Sequence, residues 1–139
     1  MQPDVKREYT GWRDEGLSAR HRTWGWDCPA IDIDFLMLEY DRGRAVALVE
    51  YKRETAPTQN SGHPSYRALR DLANKADLPL FACRYAKDYV WFKVVPLNDK
   101  ARVVLCQSVV LSEREWVEFL YRLRGLEIPE DLFDEAVDI

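Results

Sequence analysis

The chain has 139 residues, 47% hydrophobic and 12% aromatic, with a formal net charge of −4, which describes one compact domain and excludes a disordered chain. No apolar run approaches a membrane span, and no charged-then-apolar leader opens the sequence. Cys28, Cys83 and Cys106 lack the spacing of a zinc site or a disulfide framework, so a soluble cytoplasmic protein without a membrane partner is expected.

In chain order, residues 4–19 are polar with apolar positions at Val5, Tyr9, Trp12 and Leu17, which predicts a helix kinked near Gly11. Residues 20–30, with Trp24-Gly25-Trp26 and Pro29, read as a connector whose Trp rings anchor the helix on the core. Two strand-like runs follow, 31–40 and 45–52, separated by Asp41-Arg42-Gly43-Arg44. Residues 53–64 hold Thr55, Pro57, Asn60, Ser61, Gly62 and Pro64, a loop long enough to be functional.

The helical spacing of Tyr66, Leu69, Leu72, Ala73 and Ala76 predicts an amphipathic helix over 65–77, stopped by Pro79. Residues 80–85 and 89–95 are apolar, β-branched and aromatic and read as strands, with Lys87-Asp88 at the turn between them and a further short strand at 102–106. Ser112 and Glu115 form a capping box that opens a helix with the stripe Trp116, Phe119, Leu120 and Leu123, closed by Gly125. The fold class is α/β, a mixed central sheet flanked by helices in the order α-β-β-α-β-β-(β)-α. Residues 1–126 form the domain. Residues 127–139 hold Glu127, Glu130, Asp131, Asp134, Glu135 and Asp138 and no Lys or Arg, a solvated acidic tail. Without it, 18 acidic residues stand against 20 basic ones, which permits a phosphate-bearing partner without demanding one.

Charged residues converge on the first hairpin. A three-residue loop Asp41-Arg42-Gly43, with Gly43 in the left-handed region, pairs Tyr40 with Arg44. Asp34 then faces Glu50 and Asp32 faces Lys52, all four on one face of the sheet, because only residues i and i+2 share a strand face. Two carboxylates held that close repel unless a cation lies between them, and a hard oxygen-ligand ion, Mg2+ or Mn2+, suits the role. Lys52 on the same face can orient an attacking water or stabilise developing charge.

Asp34 followed by Glu50-Tyr51-Lys52, after a hairpin and before a helix, resembles the PD-(D/E)xK nuclease superfamily. The resemblance implies an αβββαβ restriction-endonuclease-like core over roughly residues 5–85, with the later strands and the C-terminal helix as additions. It implies metal ligation by Asp34, Glu50 and the backbone carbonyl of Tyr51, with Lys52 as the catalytic lysine. The implied activity is divalent-metal-dependent hydrolysis of DNA phosphodiester bonds, an endonuclease action often carried out by homodimers. Small stand-alone members are often encoded by phages. The family's Pro-Asp dipeptide is absent, since Pro29 is followed by Ala-Ile before Asp32. Asp34 is favoured as the ligand over Asp32 because it faces Glu50 and leads directly into Phe35-Leu36-Met37-Leu38. A further acid from the first helix would be Glu8 or Glu15. The rival expectation is a non-catalytic module binding nucleic acid or protein on the same core, such as a phage accessory protein.

Other residues admit plainer readings. Arg20 and Arg22 can grip backbone phosphates or be simply solvated. Arg53 follows Lys52 on the opposite face, and Arg67, with Tyr66 and Arg70, lies on the helix after the loop, solvated or lining a substrate channel. His21 is expected to be structural, His63 a cap-region residue, and Cys83 and Cys106 core thiols.

Overall fold

The computed structural model describes residues 14–25 and 27–133, so Gly11, Glu8 and Trp26 lie outside the described residues. The elements are α1 (Glu15–Thr23), β1 (Phe35–Glu39), β2 (Arg44–Arg53), α2 (Pro64–Ala76), β3 (Leu80–Tyr85), β4 (Phe92–Pro96), α3 (Asp99–Val104), β5 (Val109–Leu111) and α4 (Glu113–Leu123). The chain divides into two units at residue 32, with α1 in the first and the sheet and remaining helices in the second.

In the first unit, α1 is capped by Asp14, whose carboxylate accepts from the Leu17 N–H at 3.0 Å. The helix runs past 19 to Thr23, so Arg20, His21 and Arg22 are helical rather than part of a connector. The Trp24 ring is not a buried anchor. It is half exposed and packs on His21 with ring centroids 4.5 Å apart.

The second unit is a mixed five-stranded sheet in sequence order β1-β2-β3-β4-β5, the α/β class expected. β2 and β3 run parallel, joined by the crossover helix α2, and every other neighbouring pair is antiparallel. Two strands precede the crossover helix among the described residues, where the αβββαβ pattern has three.

Side chains alternate across β2 and divide the core in two. Leu48 packs with Tyr66, Leu69, Ala73, Leu80 and Leu97 beneath α2. Ala47 and Val49 pack with Phe81, Cys83, Phe92 and Val94 beneath Trp116 and Phe119 of α4. α2 begins at Pro64 with His63 as its cap, Nδ1 accepting from the Ser65 N–H at 3.1 Å, and ends at Asp77 in the left-handed conformation. In α4 both halves of the Ser112–Glu115 capping box are present.

Three of the expected strands change. The first strand is Phe35–Glu39 rather than 31–40, which leaves Asp32 in the first unit and outside the sheet register. The fourth strand starts at Phe92, because Tyr89 takes a positive φ of 63° that ends strand geometry. Residues 102–104 end a helix rather than form a strand, because Asn98 caps α3 by accepting from the Ala101 N–H at 2.9 Å. Cys83 is buried as expected, whereas Cys106 is exposed.

Asn98 also binds the core together. It is 2% exposed, its Oδ1 accepts from the Leu80 N–H at 3.0 Å, and its Nδ2 donates to the Leu78 carbonyl at 2.8 Å and to Asn74 Oδ1 at 3.1 Å. Truncation would strand several of these partners in an apolar surrounding. Asn98→Ala should therefore lower stability by about 3 kcal/mol, read as a shift in the urea unfolding midpoint at constant slope. A loss within ~0.5 kcal/mol would contradict this role.

Candidate metal centre

The hairpin reaches the expected register by a different route. The loop has four residues rather than three, since Glu39, not Tyr40, pairs with Arg44. It is held by the Gly43 N–H donating to the Tyr40 carbonyl at 3.1 Å and by the Arg42 N–H donating to Glu39 Oε2 at 2.9 Å. Gly43 sits at φ 62°, where a residue lacking Cβ is unstrained. The ladder then shifts between Met37 and Leu38, and Val46 is the extra residue of a bulge. Beyond it Met37 pairs with Ala47 and Phe35 with Val49, so Asp34 comes opposite Glu50.

Asp34 is held there by the backbone. The Leu48 and Glu54 N–H groups donate to the Pro79 and Tyr85 carbonyls on the β3 side. The N–H and C=O of one strand residue turn to the same neighbour, so those of odd-numbered Tyr51 turn to the β1 side. The Tyr51 N–H donates to Asp34 Oδ2 at 3.0 Å, replacing a ladder bond just before β1 begins. The Tyr51 carbonyl therefore faces the same side as the Asp34 carboxylate.

The Glu50 side chain is largely buried, and Lys52 Nζ lies 3.9 Å from Glu50 Oε1. Burial, then the negative charge of Asp34, raises the Glu50 pKa from 4.5 to about 7. Lys52 and the Asp34 backbone N–H pull the other way, while a proton on Glu50 is favoured by its hydrogen bond to the Asp34 carboxylate. Tyr66, buried on α2, overlooks the pair. Burial first, then the charges of Glu50 and Asp34, raise its phenol pKa, with Arg84 opposing.

Arg84 was not singled out from the sequence. The parallel ladder sets it beside Lys52, and its Nη1 donates to the carbonyls of Arg53 (2.9 Å) and Ala56 (2.7 Å), fixing the start of the loop after β2. No sequence signal sets a parallel register across a crossover. Ala82 is the partner of Glu50 on β3, so a small side chain flanks the carboxylate.

Asp34, Glu50 and Lys52 are thus brought together. Asp32, Arg20, Arg22 and Glu15 belong to the first unit. Arg67 is exposed on α2, and Arg53 is exposed on the opposite face of β2. Among the described residues no group of three or more His, Cys, Asp and Glu is assembled, so the centre offers two carboxylates and a backbone carbonyl. No protein-family model matches the chain, nor does any curated protein or solved structure.

Because the folded chain binds a proton at Glu50 more tightly than an ordinary carboxylate, this group's contribution to stability is full below pH 4.5. It is lost as pH rises through about 7. In chelator-containing buffer, melting temperature should fall from about pH 5 to about pH 8, and Glu50→Gln should flatten that fall. Calorimetry on both proteins checks this, and parallel slopes would refute it.

Proposed function

We propose that this domain is a divalent-metal-dependent nuclease of the PD-(D/E)xK kind, hydrolysing nucleic-acid phosphodiester bonds, with DNA the substrate expected. The observation that carries the reading is the Asp34–Glu50 pair, two carboxylates on one point with too little positive charge between them. Hard oxygen donors of this type fit Mg2+ or Mn2+, which keeps several waters and so needs few protein ligands. Asp34, Glu50 and the Tyr51 carbonyl would hold the ion. When bound it would supply Lewis acidity toward a phosphoryl oxygen and lower the pKa of a water.

The chain's own residues supply the rest. Lys52, on the same strand face and 3.9 Å from Glu50, places a cation where negative charge develops on the phosphoryl group. The Tyr51 N–H fixes one Asp34 oxygen and thereby aims the other. Glu50 itself is largely withdrawn from water, its side chain 14% exposed, which strengthens the local electrostatics.

The test is cleavage of a panel of duplex, single-stranded and branched DNA and of RNA, with Mg2+, Mn2+ or chelator. Metal-dependent cleavage should fall by about a hundredfold or more in Lys52→Ala and in Glu50→Gln. Calorimetric Mn2+ binding should be lost in Glu50→Ala but kept in Lys52→Ala. Absence of both cleavage and ion binding in the intact chain would end the reading. Salt-sensitive nucleic-acid association indifferent to both residues would replace it with a binding module.

A further inference from the structure

The opposite face of the same sheet end carries a concave surface with a volume of about 400 Å³, in the range of small-ligand clefts. Its walls are Phe35, Tyr51, Tyr85, Tyr89, Phe92 and Trp116. These residues stand at the start of β1, the ends of β2 and β3, the start of β4 and the first turns of α4, all at the end of the sheet that holds Glu50 and Lys52.

The rings are ordered in a way that hydrophobic filling does not require. Phe119, Trp116, Phe92, Tyr85 and Tyr89 form a run of near-parallel rings, with successive centroids 5.7, 6.3, 6.4 and 5.8 Å apart and interplanar angles of 28° or less. The run begins in the core and ends at Tyr89, which is 54% exposed. Tyr89 is held in that position by a left-handed backbone, φ 63°, which costs any residue with a Cβ. Strain of this kind persists where the surroundings enforce it, and it concentrates at binding surfaces.

Polar groups complete the cleft. Tyr51 Oη accepts from Trp116 Nε1 at 3.0 Å, and its own proton has no acceptor among the described residues. The exposed Glu113 carboxylate borders the cleft. Arg53, exposed, is the ladder partner of Tyr85 and shares its face. An aromatic stack that ends half-exposed, a free donor, a carboxylate and a nearby guanidinium match one chemistry, a planar heteroaromatic ring with amino groups joined to a phosphate. Every nucleobase has a π-face that extends such a stack, and base–aromatic stacking tolerates any sequence.

We propose that this cleft takes an unpaired nucleobase of the bound strand, stacked on the exposed ring of Tyr89 that Tyr85 backs, with Arg53 on an adjoining phosphate. The inference rests on the nucleic-acid reading above and deepens it, since it assigns the substrate a single-stranded or unstacked segment beside the scissile bond. Consecutive residues of β2 serve the two faces: Glu50 and Lys52 meet the phosphodiester, Tyr51 and Arg53 the base and its phosphate. A strand crossing this end of the sheet reaches both.

The test is binding in chelator, which leaves hydrolysis out. The probes are a single-stranded oligonucleotide containing 2-aminopurine, whose fluorescence is quenched on stacking, and a blunt duplex of the same length. Tyr89→Asn removes the ring while keeping a residue that tolerates the left-handed backbone, so folding is preserved. Tyr89→Asn and Tyr85→Ala should each weaken single-strand binding about tenfold or more and relieve the quenching, with duplex affinity within about twofold. Arg53→Gln should weaken binding and lower its salt dependence by about one phosphate contact. Equal losses for single strand and duplex, or unchanged quenching, would overturn the proposal while cleavage still judges the metal centre. Ring-dependent capture of a proline-rich peptide in place of the oligonucleotide would overturn it as well.

Discussion

Val46 is the residue that the β1–β2 ladder leaves unpaired, and its position decides what faces what at the far end of the hairpin. A four-residue loop alone would set Asp34 against Val49 and turn its side chain to the face opposite Glu50, since a slip of one residue exchanges faces. The bulge adds the missing residue and restores the pairing of Asp34 with Glu50. It is stabilised locally, because Val46 and Ala47 both enter the core beneath α4, 8% and 0% exposed, instead of alternating out of it. Hydrophobic burial near the turn thus sets an electrostatic contact three rungs away.

That contact is asymmetric. Asp34 is anchored by a peptide N–H and stays exposed, whereas Glu50 is mostly buried and accepts the electrostatic burden of the pair. Lys52 at 3.9 Å is beyond hydrogen-bond distance, so it offsets the negative charge without saturating Glu50. The carboxylate is left to take a proton or a cation. Nothing in the packing needs a Glu here, for Ala82 beside it and Leu48 two residues earlier show that the same face accepts apolar side chains. A buried carboxylate next to a second one is a cost to folding, and such costs gather where charge has work to do.

Much of this was legible in the sequence where period and capping carry the signal. The stripe Tyr66, Leu69, Ala73 and the stripe Trp116, Phe119 fixed α2 and α4 within a residue or so, and Ser112 and Glu115 marked the start of α4. The pairing of Asp34 with Glu50 was reached through a three-residue loop that does not form, because the longer loop and the bulge cancel. Asp32 read as a strand residue since Ile31 and Ile33 alternate with it, yet the Asp34 side chain takes the Tyr51 N–H and ends the ladder there. α3 was hidden by its β-branched Val103 and Val104, although Asn98-Asp99 offered a cap. Arg84 depends on how β3 aligns with β2 across the crossover, and the aromatic run on how α4 packs over β3 and β4, tertiary relations with no local code.

Tyr51 joins the two faces. Its backbone N–H fixes Asp34 on the side of α2, and its ring lies in the aromatic wall on the side of α4, edge-on to Phe35, Tyr85 and Trp116. The hydrogen bond from Trp116 ties that ring to the helix. Burial raises the pKa of the Tyr51 phenol, so it stays protonated and remains a donor across the ordinary pH range. The middle residue of Glu50-Tyr51-Lys52 is therefore not a spacer. A strand residue has one backbone and one side chain, and here the backbone fixes the Asp34 carboxylate while the side chain shapes the aromatic wall on the other face. Packing of α4 against the sheet and the position of the Asp34 carboxylate meet in this one residue, bonded to Trp116 through its ring and to Asp34 through its backbone.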